Sequence, residues 1–136
     1  MLIGAKGCAA SLRSELPRHF AAIRHAAASR AGRSGHQFVS VGVAVDHSIE
    51  EGVEFLKRFP DLDQMAVGGA WMNESVVRFI WRDIAGEPVL PQVLLLRRSV
   101  DVSRERVTFG EDSLLSRAVG TYEIGLLAAR LAEQRQ

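Results

Sequence analysis

The clearest pattern along the chain is the run QFVSVGVAV at 37–45, where Val39, Val41, Val43 and Val45 alternate with Ser40, Gly42 and Ala44. That period of two predicts a strand, and its small second face suits a central position covered by helices on both sides. QVLLL at 92–96 is unbroken apolar sequence, the mark of a strand buried on both faces. Shorter strands are predicted at LIGA (2–5), Gln64–Val67 and Val107–Phe109, the last followed by Gly110. Helical spacing links Leu12, Leu16, Phe20, Ile23 and Ala27, which predicts a helix over 8–31, with a kink or a tightened turn at Pro17. Ser48 and Glu51 form a capping box for a helix running to about Arg58, with Pro60 beyond it. Asn73 predicts a cap for a helix over 74–84, and two helices near 111–118 and 121–134 close the chain.

This order alternates strands with helices and then sets two strands side by side. It predicts an α/β fold with a mixed sheet: a parallel core, an antiparallel edge, and helices on both faces. At 136 residues the chain has the length of one domain, expected over 1–136, with the helix at about 121–134 added at its end.

Composition narrows function by exclusion. Apolar residues make up 47% and charged residues 24%, a globular balance, and no apolar stretch approaches the roughly 18 residues of a membrane span. One cysteine excludes an internal disulfide and a multi-cysteine zinc site, and His19, His25, His36 and His47 lack metal-ligand spacing. There is no phosphate-binding glycine loop ending in Gly-Lys-Ser/Thr. The net charge of +1 gives no steering toward nucleic acid, and the arginines across 97–106 and at 117 have no interleaved aromatic platform. No nucleic acid partner, membrane span or metal is therefore expected. Residues 1–45 hold Lys6 and five arginines against Glu15, whereas 46–91 hold nine acids against four bases. Mutual neutralisation within the folded chain is the expected outcome. MLIGAKGCAAS reads as no export segment, so a cytoplasmic site is expected, or an extracytoplasmic one if such a segment is missing from this chain.

Cys8 is the residue with the most chemical promise. It follows a predicted strand and opens a predicted helix, where free backbone N–H groups and the helix dipole welcome a thiolate. Lys6 adds positive charge nearby, and Ser11, three residues on, is placed to hydrogen-bond the sulfur. The competing reading is a cysteine that merely packs as a small apolar residue. Gly68-Gly69-Ala70-Trp71-Met72-Asn73 is the second unusual segment, in which Trp71 either walls a groove or packs on the sheet.

GCAASLRSELP, with Cys8, Glu15, Leu16 and Pro17, resembles the cysteine-bearing helix opening of the thioredoxin-like TlpA/redoxin group. VSVGVAVD at 39–46, Pro91 before QVLLL, and Phe109-Gly110 before EDSLL resemble that group's second strand, its cis-proline and its closing strand with the last helix. The resemblance spans about residues 2–118 and implies a three-layer thioredoxin-like sandwich. It implies a cis Leu90–Pro91 bond beside Cys8, with Leu90 and Pro91 positioning substrate backbone. Ser11 replaces the group's second cysteine and Gly7 its preceding aromatic residue. The implied activity is single-thiol disulfide exchange through Cys8 and Ser11, on a protein or small thiol/disulfide substrate. No bound cofactor is implied, and glutathione is a candidate co-substrate. The alternative is a non-catalytic binding module that has lost dithiol chemistry.

Overall fold

In a computed structural model, which describes residues 1–134, five strands form one mixed sheet in the order β3-β2-β1-β4-β5. The strands are β1 (Leu2–Gly4), β2 (Val41–Ala44), β3 (Gln64–Ala66), β4 (Gln92–Val102) and β5 (Val107–Val119). β1, β2 and β3 run parallel, while β4 is antiparallel to both β1 and β5. The helices are α1 (Leu16–Arg33), α2 (Ile49–Leu56), α3 (Glu74–Val76), which runs on as a π-helix over Val77–Arg82, and α4 (Gly120–Glu133). The expected α/β class, parallel core and antiparallel edge are all present. No helix among the described residues is long and apolar enough to cross a membrane.

Alternation along the central strands divides the core in two. Leu2, Ala44 and Val93 pack with Phe20 and Ile23 of α1, Phe55 of α2 and Ile124 of α4. Ile3, Val43 and Leu94 point the other way and meet Val76, Phe79 and Ile80. A period of two sends neighbouring residues to opposite faces, so three residues of β1 feed both layers. Gly4 is required by closeness: a Cβ there would stand 2.5 Å from the Phe55 ring.

Capping follows the sequence at two helices. The Ser48 hydroxyl accepts from Glu51 N–H at 3.2 Å, and Asn73 Oδ1 accepts from Ser75 N–H at 3.0 Å. The carbonyls that end the π-helix are met from β5, where the Arg117 guanidinium donates to Phe79 O at 2.9 Å and Ile84 O at 2.7 Å. The opposite charges of the first two chain segments meet in Lys6–Glu54 at 2.6 Å and Arg24–Asp61 at 3.6 Å.

Four expectations are corrected. The helix over 8–31 is two pieces, a 3-10 turn at Ala9–Leu12 and α1 from Leu16. Pro17 therefore lies in the first turn of α1, where its missing N–H costs nothing, and kinks no helix. The strand at 37–45 contracts to Val41–Ala44, because its opening residues have no neighbouring strand to pair with. The largest change lies at 97–118: residues 97–102, expected to lie between strands, continue β4, and the strand expected at Val107–Phe109 runs on to Val119 as β5, with no helix over 111–118.

Candidate functional site

Cys8 lies where β1 leaves the sheet. Its backbone N–H donates to Ala5 O at 3.3 Å, closing a turn, and its own carbonyl accepts from Ser11 N–H and Leu12 N–H to start the 3-10 turn. Cys8 is half-buried, packed against the Ile3, Val43 and Leu94 side of the core, and its sulfur has a carbonyl neighbour. That neighbour is the carbonyl oxygen of Leu90, 3.8 Å from the sulfur and within reach of a weak S–H···O bond. The Leu90–Pro91 peptide is cis, the form the resemblance implies. Folding thus joins Cys8 and Leu90 across 82 positions of sequence.

The turn that presents Cys8 is held from β2. Asp46, buried just past the end of that strand, accepts from Lys6 N–H at 3.0 Å and Gly7 N–H at 3.1 Å, one through each carboxylate oxygen. Such charge-assisted bonds are the stronger kind. The Lys6 ammonium is engaged elsewhere: its hydrogen bond to Glu54 raises it above the usual lysine value. The far end of the 3-10 turn is tied by Arg58, which donates to Ser11 O at 2.8 Å, Leu12 O at 3.1 Å and Arg13 O at 3.2 Å.

α4 begins against the same loops. Gly120 N–H donates to Pro91 O at 2.8 Å, and the Thr121 hydroxyl donates to Ala10 O at 3.0 Å. Gln92, fully buried, donates from its side chain to Glu87 O and Val89 O, fixing the loop ahead of Pro91.

The expected role of Ser11 changes. Its side chain is fully buried, and its hydroxyl accepts from Ala5 N–H at 3.3 Å, so it fastens the strand end instead of hydrogen-bonding Cys8. Trp71 packs on the same core layer as Cys8 and meets Trp81 edge-to-face at 6.1 Å between ring centroids. That is the packing alternative for Trp71, with the neighbouring Met72 side chain fully out in solvent at 79% exposure. The Leu90 carbonyl lies at the sulfur, and Pro91 follows it across the cis bond. The clamp residues Arg58 and Thr121 carry no local sequence signal, because each acts through backbone atoms far away in the chain. Asp46 stood out only as the polar end of a valine strand. Among the described residues, no three His, Cys, Asp or Glu side chains gather as metal ligands would.

The chain matches no family model, no curated protein and no solved structure.

Proposed function

We propose that this is a thioredoxin-like domain of the TlpA/redoxin type in which Cys8 carries single-thiol disulfide exchange. The observation that carries the reading is the half-buried Cys8, its sulfur 3.8 Å from Leu90 O in the loop entering β4. Two further features support it. The parallel β1–β2 pair is followed by an antiparallel β4–β5 pair and a final helix, and the cysteine leaves the loop end of β1.

The Cys8 thiolate attacks the glutathione sulfur of a mixed disulfide, forming a Cys8–glutathione disulfide and releasing the other thiol as its thiolate. A second glutathione thiolate then attacks that bond, releasing oxidised glutathione and restoring Cys8. In total one disulfide replaces another: one free glutathione thiol is oxidised, the substrate sulfur is reduced to a thiol, and the glutathione first held in the mixed disulfide ends in oxidised glutathione. With no second cysteine in the chain, the resolving thiol must come from solution.

A second reading, a binding module without exchange chemistry, is favoured by the hydrogen bonds around the sulfur. The Lys6 and Gly7 N–H groups are taken by Asp46, the Ser11 side chain is fully buried and holds Ala5 N–H, and the partner of the sulfur, Leu90 O, is an acceptor. The glutathione-dependent reduction of a glutathionylated peptide separates the two. The exchange reading expects turnover above the uncatalysed rate that is lost in Cys8→Ser with the fold intact by circular dichroism. Equal rates for both proteins would leave the binding reading.

A further inference from the structure

We propose that the first turn of α4 is a strap that locks the loop of Cys8 to the loop of Pro91 and so governs access to the sulfur, with Thr121 as its positioning residue. A ring of contacts runs through these segments. The Cys8 sulfur lies 3.8 Å from Leu90 O, Pro91 O accepts from Gly120 N–H at 2.8 Å, and Ala10 O accepts from the Thr121 hydroxyl at 3.0 Å. Short stretches of chain, 8–10, 90–91 and 120–121, join one contact to the next. A ring with so little slack resists opening at any one contact unless another gives way.

The strap is anchored at its own base. Val119 N–H donates to Glu123 Oε2 at 2.8 Å, which fixes the entry to α4, and Ile124 is buried beneath. Gly120 stands at φ +79°, a conformation glycine adopts without strain, and turns the chain from the end of β5 toward Ala10. The Thr121 bond meets a need of its partner, because a 3-10 turn leaves its last carbonyls without donors of its own. Arg58 supplies Ser11 O, Leu12 O and Arg13 O, and Thr121 supplies Ala10 O. Each loop also has an inner tie, Asp46 for the one and Gln92 for the other, but neither tie joins loop to loop. That link runs through α4 and through the weak contact at the sulfur.

Cys8 is half-buried, so a reagent reaches its sulfur most readily when the loops part. Such local openings are equilibria of their own, separate from global unfolding. The net worth of one hydrogen bond is small, and releasing the Thr121 bond raises the open population about two- to tenfold. The use of the strap rests on the single-thiol reading: an adduct on the sulfur presses on the Leu90 carbonyl, and the strap sets how far the loops part to admit it. The loop motion itself needs no exchange chemistry.

Alkylation of Cys8, the chain's one thiol, by iodoacetamide at fixed pH reads this opening in the whole protein. Thr121→Val keeps the side chain's shape and removes the hydroxyl. It is expected to react about two- to tenfold faster than the parent, with its circular dichroism unchanged. Thr121→Ser keeps the hydroxyl and is expected to hold the parent rate. Gly120→Ala disturbs the bond to Pro91 and is expected to speed alkylation too. The double variant should gain less than the product of the two single gains, since either release opens the same ring. Should Gly120→Ala fold poorly, the two Thr121 variants decide. Equal rates in the parent and Thr121→Val, a Thr121→Ser rate as fast as that of Thr121→Val, or gains that multiply independently would each overturn the proposal. Alkylation involves no disulfide exchange, so a chain that turns over no glutathionylated peptide leaves this result readable, and a Thr121 without effect leaves the exchange reading standing.

Discussion

β1 and the β4–β5 ribbon sit side by side in one sheet and are built on opposite terms. β1 has three residues, all buried, flanked by β2 and β4 and covered on both faces. The outer ribbon has the longest strands in the molecule and almost no burial beyond Leu96. Strand length is thus no measure of what a strand contributes to the fold. Burial sets the apolar stabilisation, so the short strand anchors the domain while the long pair presents a surface. The same division places the candidate site: the Cys8 turn hangs from the well-anchored strand, and the exposed apolar patch lies on the free one.

The largest effect expected inside this contrast is at Phe55, which packs against Gly4 of β1 and meets the Phe59 ring at 5.3 Å. Phe55→Ala is expected to cost about 3–5 kcal/mol in urea unfolding, since the bulky neighbours cannot close the cavity. A cost near zero would break the claim that the layer under β1 anchors the domain. A smaller loss is expected at Asp46. Asp46→Ala leaves two backbone donors without acceptors and should cost about 1–3 kcal/mol. Hydrogen exchange should quicken at Lys6 and Gly7 while the ribbon amides stay as they were. Equal quickening in both regions would show that the two are not independent.

The smallest effect expected is one of pH. Hydrogen bonds from the Ser40 N–H and hydroxyl, at 2.7 Å each, hold the Asp63 carboxyl below its ordinary value. A carboxyl lowered by folding supports the folded state above its unfolded value, and that support is lost as pH falls through the folded value. The melting temperature of Asp63→Asn should therefore lie below that of the parent at neutral pH. The gap should close as the solution is taken below the usual carboxylate range. A gap that persists in acid would show that Asp63 acts through something other than its charge.

Much of the inner sheet was legible because its residues obey one constraint at a time. β2 alternates between two core layers, the start of β4 is apolar on both faces, and the Ser48 and Asn73 caps lie within three residues of what they cap. The ribbon was misread for a physical reason. Its alternation is interrupted by register shifts between Leu95 and Leu96 and between Arg98 and Val100. The first sets Leu114 and Leu115 side by side, and with Ala118 they imitate the spacing of a helix face. The start of α1 was placed too early because Leu12 fits its periodicity, although Leu12 belongs to the 3-10 turn and is largely exposed. At the candidate site, the pairing of Cys8 with Leu90 came from the family resemblance and the polar clamps did not. Asp46, Arg58 and Thr121 bind main-chain atoms, which every residue possesses, so side-chain pattern carries no trace of those contacts.

The first turn of α4 has a practical consequence. Tyr122, the chain's one tyrosine, follows directly after Thr121 and stands 79% exposed. Its phenol ring gives a unique set of aromatic resonances one residue from the hydroxyl that grips Ala10. An unlabelled sample therefore carries its own probe for the junction of α4 with the 3-10 turn, readable by proton spectroscopy without adding a dye or a second thiol.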